Sequence, residues 1–210
     1  MRSDPAGPKP AKPSCRQASD GPRGLVSGEV LCEAGQTGPV WRVLRGALRL
    51  DLCTREGLRF VQIARPGDCI GLEQLACVPI AFAARALVPA EVQACHFTTD
   101  EARRAALLEG MLQQQARVAD LVTLRTGPAR HRLQQLLLML AEDAAGRASA
   151  EVANRDLPTI KDVAAIIDTS PETVSRVFGE FRRHHRLDAR QRRGARFSPA
   201  RLGEPMPARG

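Results

Sequence analysis

The 210-residue chain contains no apolar run long enough to cross a bilayer; the longest, Leu136 to Ala141, is a fraction of a spanning helix. Its N-terminus lacks the hydrophobic core of a signal peptide, so a cytoplasmic protein with no membrane partner is expected. Cys15, Cys32, Cys53, Cys69, Cys77 and Cys95 include no C-x-x-C pair. That spacing excludes the usual structural zinc site, and disulfides are not expected in a reducing compartment. Most of these cysteines read as small buried hydrophobes. Histidine is scarce too: His96, His131, His184 and His185 are too scattered for a His-rich metal centre, and no metal site is expected. An enzyme on a cupin-like barrel needs clustered histidine and carboxylate ligands in its strands, where only His96 lies, so no enzyme is expected.

What is present is positive charge. A formal charge of +8 and a pI near 9.9 favour an anionic partner, nucleic acid before membrane. Residues 1 to about 24 hold Pro5, Pro8, Pro10, Pro13 and Pro22 with almost nothing apolar, the composition of a disordered tail. Residues 25–98 change to short β-prone runs, each closed by Gly35, Gly46, Gly57 or Pro66-Gly67. Apolar alternation is clearest in Val43, Leu48, Leu50 and Leu52, the expected inward row, and again in Phe60, Ile63 and Cys69. A small antiparallel sandwich or barrel follows, closed by strands within FAARALVPAEVQACHF.

Residues 99–126 read as one long helix. Leu108, Met111, Gln115, Val118 and Val122 recur at spacings of three and four, the seam of a coiled coil, so a homodimer is expected. Gly127-Pro128 ends that helix and opens another, with Leu133, Leu136, Leu137 and Leu140 as its core face; residues 144–156 read as a polar connector. In LPTIKDVAAIIDTSPETVSRVFGEF, Thr159 and Asp162 form a capping box. Ile160, Val163, Ala164 and Ile167 make one apolar stripe. Ser170 caps a second helix with Pro171 at its first position, and Val174, Val177, Phe178 and Phe181 make its stripe. Two such helices joined by a short turn are a helix-turn-helix, spanning about 159–183 within a domain of residues 127–210. Glu172, Ser175 and Arg176 lie away from the stripe on the second helix, where base edges are read. Arginine suits guanine, glutamate the cytosine amino group, and serine is adaptable. Thr173, Arg182, Arg183 and Arg193 are candidates for the DNA backbone.

DVAAIIDTSPETVSRVF resembles the helix-turn-helix signature of the Crp/Fnr superfamily of bacterial transcription regulators, and RPGDCIG resembles that family's P-G-D-x-x-G turn. The resemblance covers nearly the whole chain after residue 24. It implies an α+β protein of two domains: an antiparallel β-roll like a cyclic-nucleotide-binding domain, a long dimerisation helix and a C-terminal winged helix-turn-helix. It also implies base contacts from Glu172, Ser175 and Arg176 to a palindromic, TTGAT-type operator in double-stranded DNA, and RNA polymerase as a further partner.

The departures concern the signal. Cyclic-AMP receptors of the family carry a Glu and then an Arg-Ser or Arg-Thr pair after the P-G-D turn. GLEQLACVPIAFAARAL offers only Glu73 and Arg85, which disfavours cyclic AMP. A four-iron cluster is disfavoured because Cys15 stands alone in the tail and Cys95 reads as core. Haem at His96, redox chemistry at Cys53, Cys69 or Cys77, and a small molecule stay open as signals on which DNA binding would strictly depend. Asp168 stands where the family usually has a turn glycine.

Overall fold

The computed structural model describes residues 21–141, 153–185, 187, 194–197 and 202. The expected Pro-rich tail, up to residue 20, lies outside them. Strands β1 (Arg23–Leu25), β8 (Ala90–Cys95), β3 (Val40–Arg45) and β6 (Cys69–Ile70) form one antiparallel sheet in that order. Strands β2 (Val30–Cys32), β7 (Ala83–Ala86), β4 (Leu48–Thr54) and β5 (Gly57–Ala64) form the second. Strand β1 starts inside the stretch expected to be tail. The two sheets enclose a core of Leu25, Leu31, Val43, Leu48, Leu50 and Val92, with Trp41 and Phe82 packed against it.

Alternation in β4 sends Leu48 and Leu50 into this core and Arg49 and Asp51 to the outer face of the second sheet. The β4–β5 register shifts between Leu50 and Asp51, so Asp51 faces Phe60 while Arg49 faces Ile63. That bulge explains why Phe60 and Ile63, three residues apart, share the outer face. Leu52 departs from the expected inward row; it is exposed, as are Cys53 and residues 55–59 of the hairpin end. The turn at Gly46 is obligatory. Its φ is 76°, and a Cβ there would sit 2.2 Å from the Pro89 carbonyl oxygen and 2.7 Å from the Ala90 Cα.

Helix α1 (Asp100–Arg125) starts at Thr99, whose hydroxyl accepts from the Ala102 N–H at 3.1 Å. The face carrying Ala106, Gly110 and Leu124 turns to the roll. Gly110 lets the helix come close: a Cβ would lie 2.1 Å from Leu72 Cδ1, on the 3-10 turn Leu72–Ala76. The side chain of Gln113 pairs with the edge strand β6, accepting from the Cys69 N–H at 2.8 Å and donating to the Cys69 carbonyl at 3.0 Å. Asp68 of the P-G-D turn accepts from Arg117 Nη2 at 3.0 Å. The proposed seam lies on the other side. Leu108, Met111, Val118 and Val122 are 61, 68, 61 and 56% exposed, and Gln115 is exposed with them, so this stripe does not cover the roll.

Helix α2 (Ala129–Ala141) leads to α3 (Ile160–Ile166) and α4 (Pro171–Arg183). A second core joins all three to the roll's outer face, with Leu133, Leu136, Leu137, Val163, Ile166, Val174, Val177, Phe178 and Phe181 packed in one cluster with Ile63, Leu87 and Leu124. Strands β9 (Ala153–Asp156) and β10 (Gly194–Phe197) pair antiparallel. ANRD carries no local strand signal, so part of the expected connector is instead one strand of a two-stranded sheet whose partner follows α4. No described helix is long and apolar enough to cross a membrane.

Replacing Gly46 by Ala should lower stability by at least ~3 kcal/mol, because a left-handed φ and a clash with backbone atoms combine. The urea midpoint measures this, and Gly28→Ala is the control: it has a similar φ of 87° but nothing within 4 Å of the added Cβ.

Candidate nucleic-acid interface

The second helix of the pair is built as its sequence requires. Ser170 Oγ accepts from the Thr173 N–H at 3.2 Å, Pro171 opens the helix, and Val174, Val177, Phe178 and Phe181 are buried. Glu172, Ser175 and Arg176 are exposed, and Thr173 is half-buried. Arg176, Arg182 and Arg183 are exposed and have no ion-pair partner among the described residues, so their guanidiniums are not already committed. Hydrogen bonds from its own backbone N–H and then from Ser170 hold the Glu172 carboxyl below its ordinary value. It is therefore an acceptor at neutral pH. Arg193 lies outside the described residues.

The turn between α3 and α4 is gripped from outside. Asp168 has a φ of 52°, a left-handed conformation that Asp tolerates better than most residues. Its carboxylate is 3.3 Å from Arg125 Nη1 of α1. Arg125 Nη2 donates to the Ala165 carbonyl at 3.3 Å, and Arg132 of α2 donates to the carbonyls of Ile167 and Asp168. Two cations thus meet the C-terminal end of α3, where the carbonyls and the helix dipole favour them. The departure from glycine therefore has a physical purpose, because an aspartate gives Arg125 a partner that glycine could not.

The other end of α3 meets the roll. Thr159 Oγ1 accepts from the Asp162 N–H at 3.1 Å, as the capping signal predicts. The same hydroxyl donates to Asp162 Oδ2 at 2.8 Å, leaving Oδ1 for the sheet. There it accepts from Arg49 Nη1 at 3.0 Å and from Arg85 Nη2. Arg49 and Arg85 are direct cross-strand partners on β4 and β7, and Asp51 accepts from Arg49 Nε at 2.6 Å. Burial pushes the Asp162 carboxyl up, but hydrogen bonds from Arg85 and Thr159 and the charges of Arg85 and Arg49 outweigh it, leaving it lowered. Sequence reasoning found Asp162 as a cap and missed its second role, since nothing local to residue 162 signals a pair of arginines far away in the chain.

The effector candidates do not come together. Ala84 and Ala86 face the roll's core, so Arg85 between them points outward to Asp162. Glu73 is committed to the Ala81 N–H at 2.7 Å. Arg85 in this structure contacts Asp162 of α3, and Glu73 lies apart from it on the turn after β6. Burial pushes the thiols of Cys32 and Cys69 up to about 11, which works against thiolate reactivity at neutral pH. Cys53 and Cys77 are exposed, and Cys95 is half-buried. Among the described residues, no group of three or more His, Cys, Asp and Glu is placed to hold a metal ion.

Residues 131–201 match one protein family, described as the Crp-like helix-turn-helix domain. Over those residues the chain is similar to that domain. Solved structures extend the likeness beyond it. TTHB099, a CRP-family transcriptional regulator from Thermus thermophilus, is 23% identical over 86% of this chain and 94% of its own, with a TM-score of 0.67. FixK2 from Bradyrhizobium japonicum is 20% identical over 88% and 96%, at 0.64. TTHA1359, a CRP/FNR-family regulator also from Thermus thermophilus, is 22% identical over 87% and 96%, at 0.60. No curated protein matches. The chain therefore has the two-domain fold of the CRP/FNR transcription regulators, an antiparallel β-roll and a long helix carrying the Crp-like domain.

Asp162→Asn should cost about 3 kcal/mol at neutral pH, because two guanidiniums then share Asp51 alone. Folded Asp162 titrates below its unfolded value, so its contribution is complete above the ordinary carboxylate range and is lost as pH falls through the lowered folded value. Urea midpoints of the two proteins should converge toward acid pH; a constant gap would show that the charge is not what Asn removes.

Proposed function

We propose that the protein is a homodimeric, sequence-specific DNA-binding transcription regulator of Crp/Fnr type, acting on an inverted repeat of TTGAT-type half-sites under the control of a signal reaching the β-roll. One observation carries this reading. On a capped second helix of a Crp-like domain, Glu172, Ser175 and Arg176 stand exposed together near the N-terminal end, opposite a fully buried stripe. Arg176 is suited to a bidentate contact with guanine, Glu172 to the cytosine amino group, and Ser175 to either neighbour. Thr173, Arg182, Arg183 and Arg193 are assigned to phosphates, which set register without reading sequence.

The exposed seam on α1 supports the dimer. Leu108, Met111, Val118 and Val122 form an apolar stripe that a soluble monomer rarely leaves open, and Gln115 within it would fix register at some expense of stability. A twofold pair of α4 helices about 34 Å apart fits successive major grooves. RNA polymerase is the further partner of a regulator of this kind, and no catalytic step is assigned to the chain.

Binding to an inverted TTGAT repeat and to a scrambled duplex, compared by fluorescence anisotropy at one salt concentration, decides the matter; equal affinities would sink specific reading. Arg176→Ala should lose about 1–3 kcal/mol of discrimination at one base pair. Arg183→Ala should weaken both duplexes alike and reduce the salt slope by about 1. Val118→Glu should yield a monomer by sedimentation, and an unchanged dimer mass would reject the seam.

A further inference from the structure

We propose that Arg85 and Asp162, with Arg49 and Asp51, form an interdomain latch that selects the spacer between operator half-sites; the two are positioning residues that act through the orientation of α4. The inference rests on the homodimeric DNA-binding reading above.

The latch follows from charge. Arg49 and Arg85 lie directly opposite each other on neighbouring strands, where like charges repel. The roll supplies one carboxylate between them: Asp51, 2.6 Å from Arg49 Nε and 3.6 Å from Arg85 Nε. The second carboxylate, which brings the group to neutrality, is Asp162 from α3. With α3 docked, Arg49 and Asp51 are almost wholly buried, at 6 and 1% exposure, so little water competes with Asp162 for Arg49. The roll's outer face is thus electrostatically incomplete until α3 docks in one position.

A second hold makes this position an orientation. At the other end of α3, Arg125 of α1 reaches Ala165 and Asp168. Arg49 and Arg125 both lie over the ring of Phe60, at 5.6 and 5.5 Å from its centroid. Helix α4 is fixed to α3 by the shared core. The angle between the seam-bearing helix α1 and the reading helix is therefore held by the shared apolar core, which includes Leu124 of α1, and by charged contacts at Asp162 in α3 and at Asp168 in the turn beyond it.

Adding one base pair to a spacer moves the half-sites apart by about 3.4 Å along the duplex and turns one relative to the other by about 35°, or about 1.7 Å and 17° for each subunit of a twofold dimer. A 3.0 Å hydrogen bond such as that from Arg49 to Asp162, stretched by that amount, is lost. Matching a wrong spacer therefore requires opening the latch. Room for the movement exists, because a crevice of about 430 Å³ lined by Ser27, Arg85, Asp162, Ser175 and Arg182 lies beside it. With the latch removed, correct and incorrect spacers differ by much less.

The experiment uses the full chain and a series of inverted TTGAT repeats whose spacer changes by one base pair at a time, with affinities for wild type, Arg85→Gln, Asp162→Asn, the double variant and Arg85→Lys. Wild type should show one preferred spacer. Either single variant should compress its preference over the neighbouring spacers by roughly tenfold or more, and the double variant no further than a single one. Arg85→Lys, which keeps the charge and loses the planar fork, should fall between. Loss of the same factor at every spacer would mark a purely structural role and overturn the proposal, as would an unchanged spacer ratio. Should the single variants fail to fold by circular dichroism, Arg85→Lys decides alone: an unaltered ratio overturns the latch. A wild type that binds no inverted repeat at any spacer instead rejects the DNA-binding reading, and the latch with it.

Discussion

Two arginines placed opposite each other across neighbouring strands govern the way this molecule is assembled. Arg49 and Arg85 share the outer face of the second sheet, and the roll offers them only Asp51. A buried pair of this kind contributes little net stability over an apolar replacement, yet removal of one partner is costly. Its value is therefore in specificity of docking. Asp162 comes from a helix more than a hundred residues after Arg49 in the chain, and its carboxylate meets both guanidiniums. The second core then closes around that contact, with Ile63 and Leu87 of the roll packed in one cluster with Leu133, Val163 and Phe181.

The same principle recurs along α1. Asp68 of the P-G-D turn meets Arg117, Arg65 meets Asp120 at 2.8 Å, and Gln113 completes the hydrogen bonds of the β6 edge. Helix α1 is thus tied to the roll by polar contacts on one side while presenting an apolar seam on the other. It ends at Arg125, which touches Phe60 and the turn before α4. Charged contacts join the roll and α1 to the helix-turn-helix at two places, one from β4 and β7 to Asp162 and one from α1 to Asp168. The first reaches α3 itself, and the second meets Ala165 at its end and Asp168 in the turn beyond it.

Much of this was legible in the sequence. The strands between Val30 and Ala64, the long helix, the capped pair α3 and α4, and the exposure of Glu172, Ser175 and Arg176 all follow from local periodicity and capping chemistry. Where local signal was weak, the reading failed. ANRD carries no alternation, yet forms β9 because β10 pairs with it. The short strands β1 and β6 exist through their neighbours. Leu52 fits an inward row by spacing and lies outside because the hairpin end is exposed there. Arg85 has the right residue type for an anion inside the roll, but strand alternation puts Ala84 and Ala86 there instead.

The order of residues was enough to specify most of the elements and the exposed face of α4, because helix stripes, caps and turn glycines act over a few residues and leave a local pattern. Which charges meet was settled by packing in three dimensions. Asp162 is a capping residue to its neighbours in the chain and the missing counter-charge to Arg49 and Arg85 in the fold. Likewise Asp168 is an atypical turn residue until Arg125 is brought beside it. Coulomb attraction between buried groups depends on distance in space and on the exclusion of water, and neither is written in a linear chain.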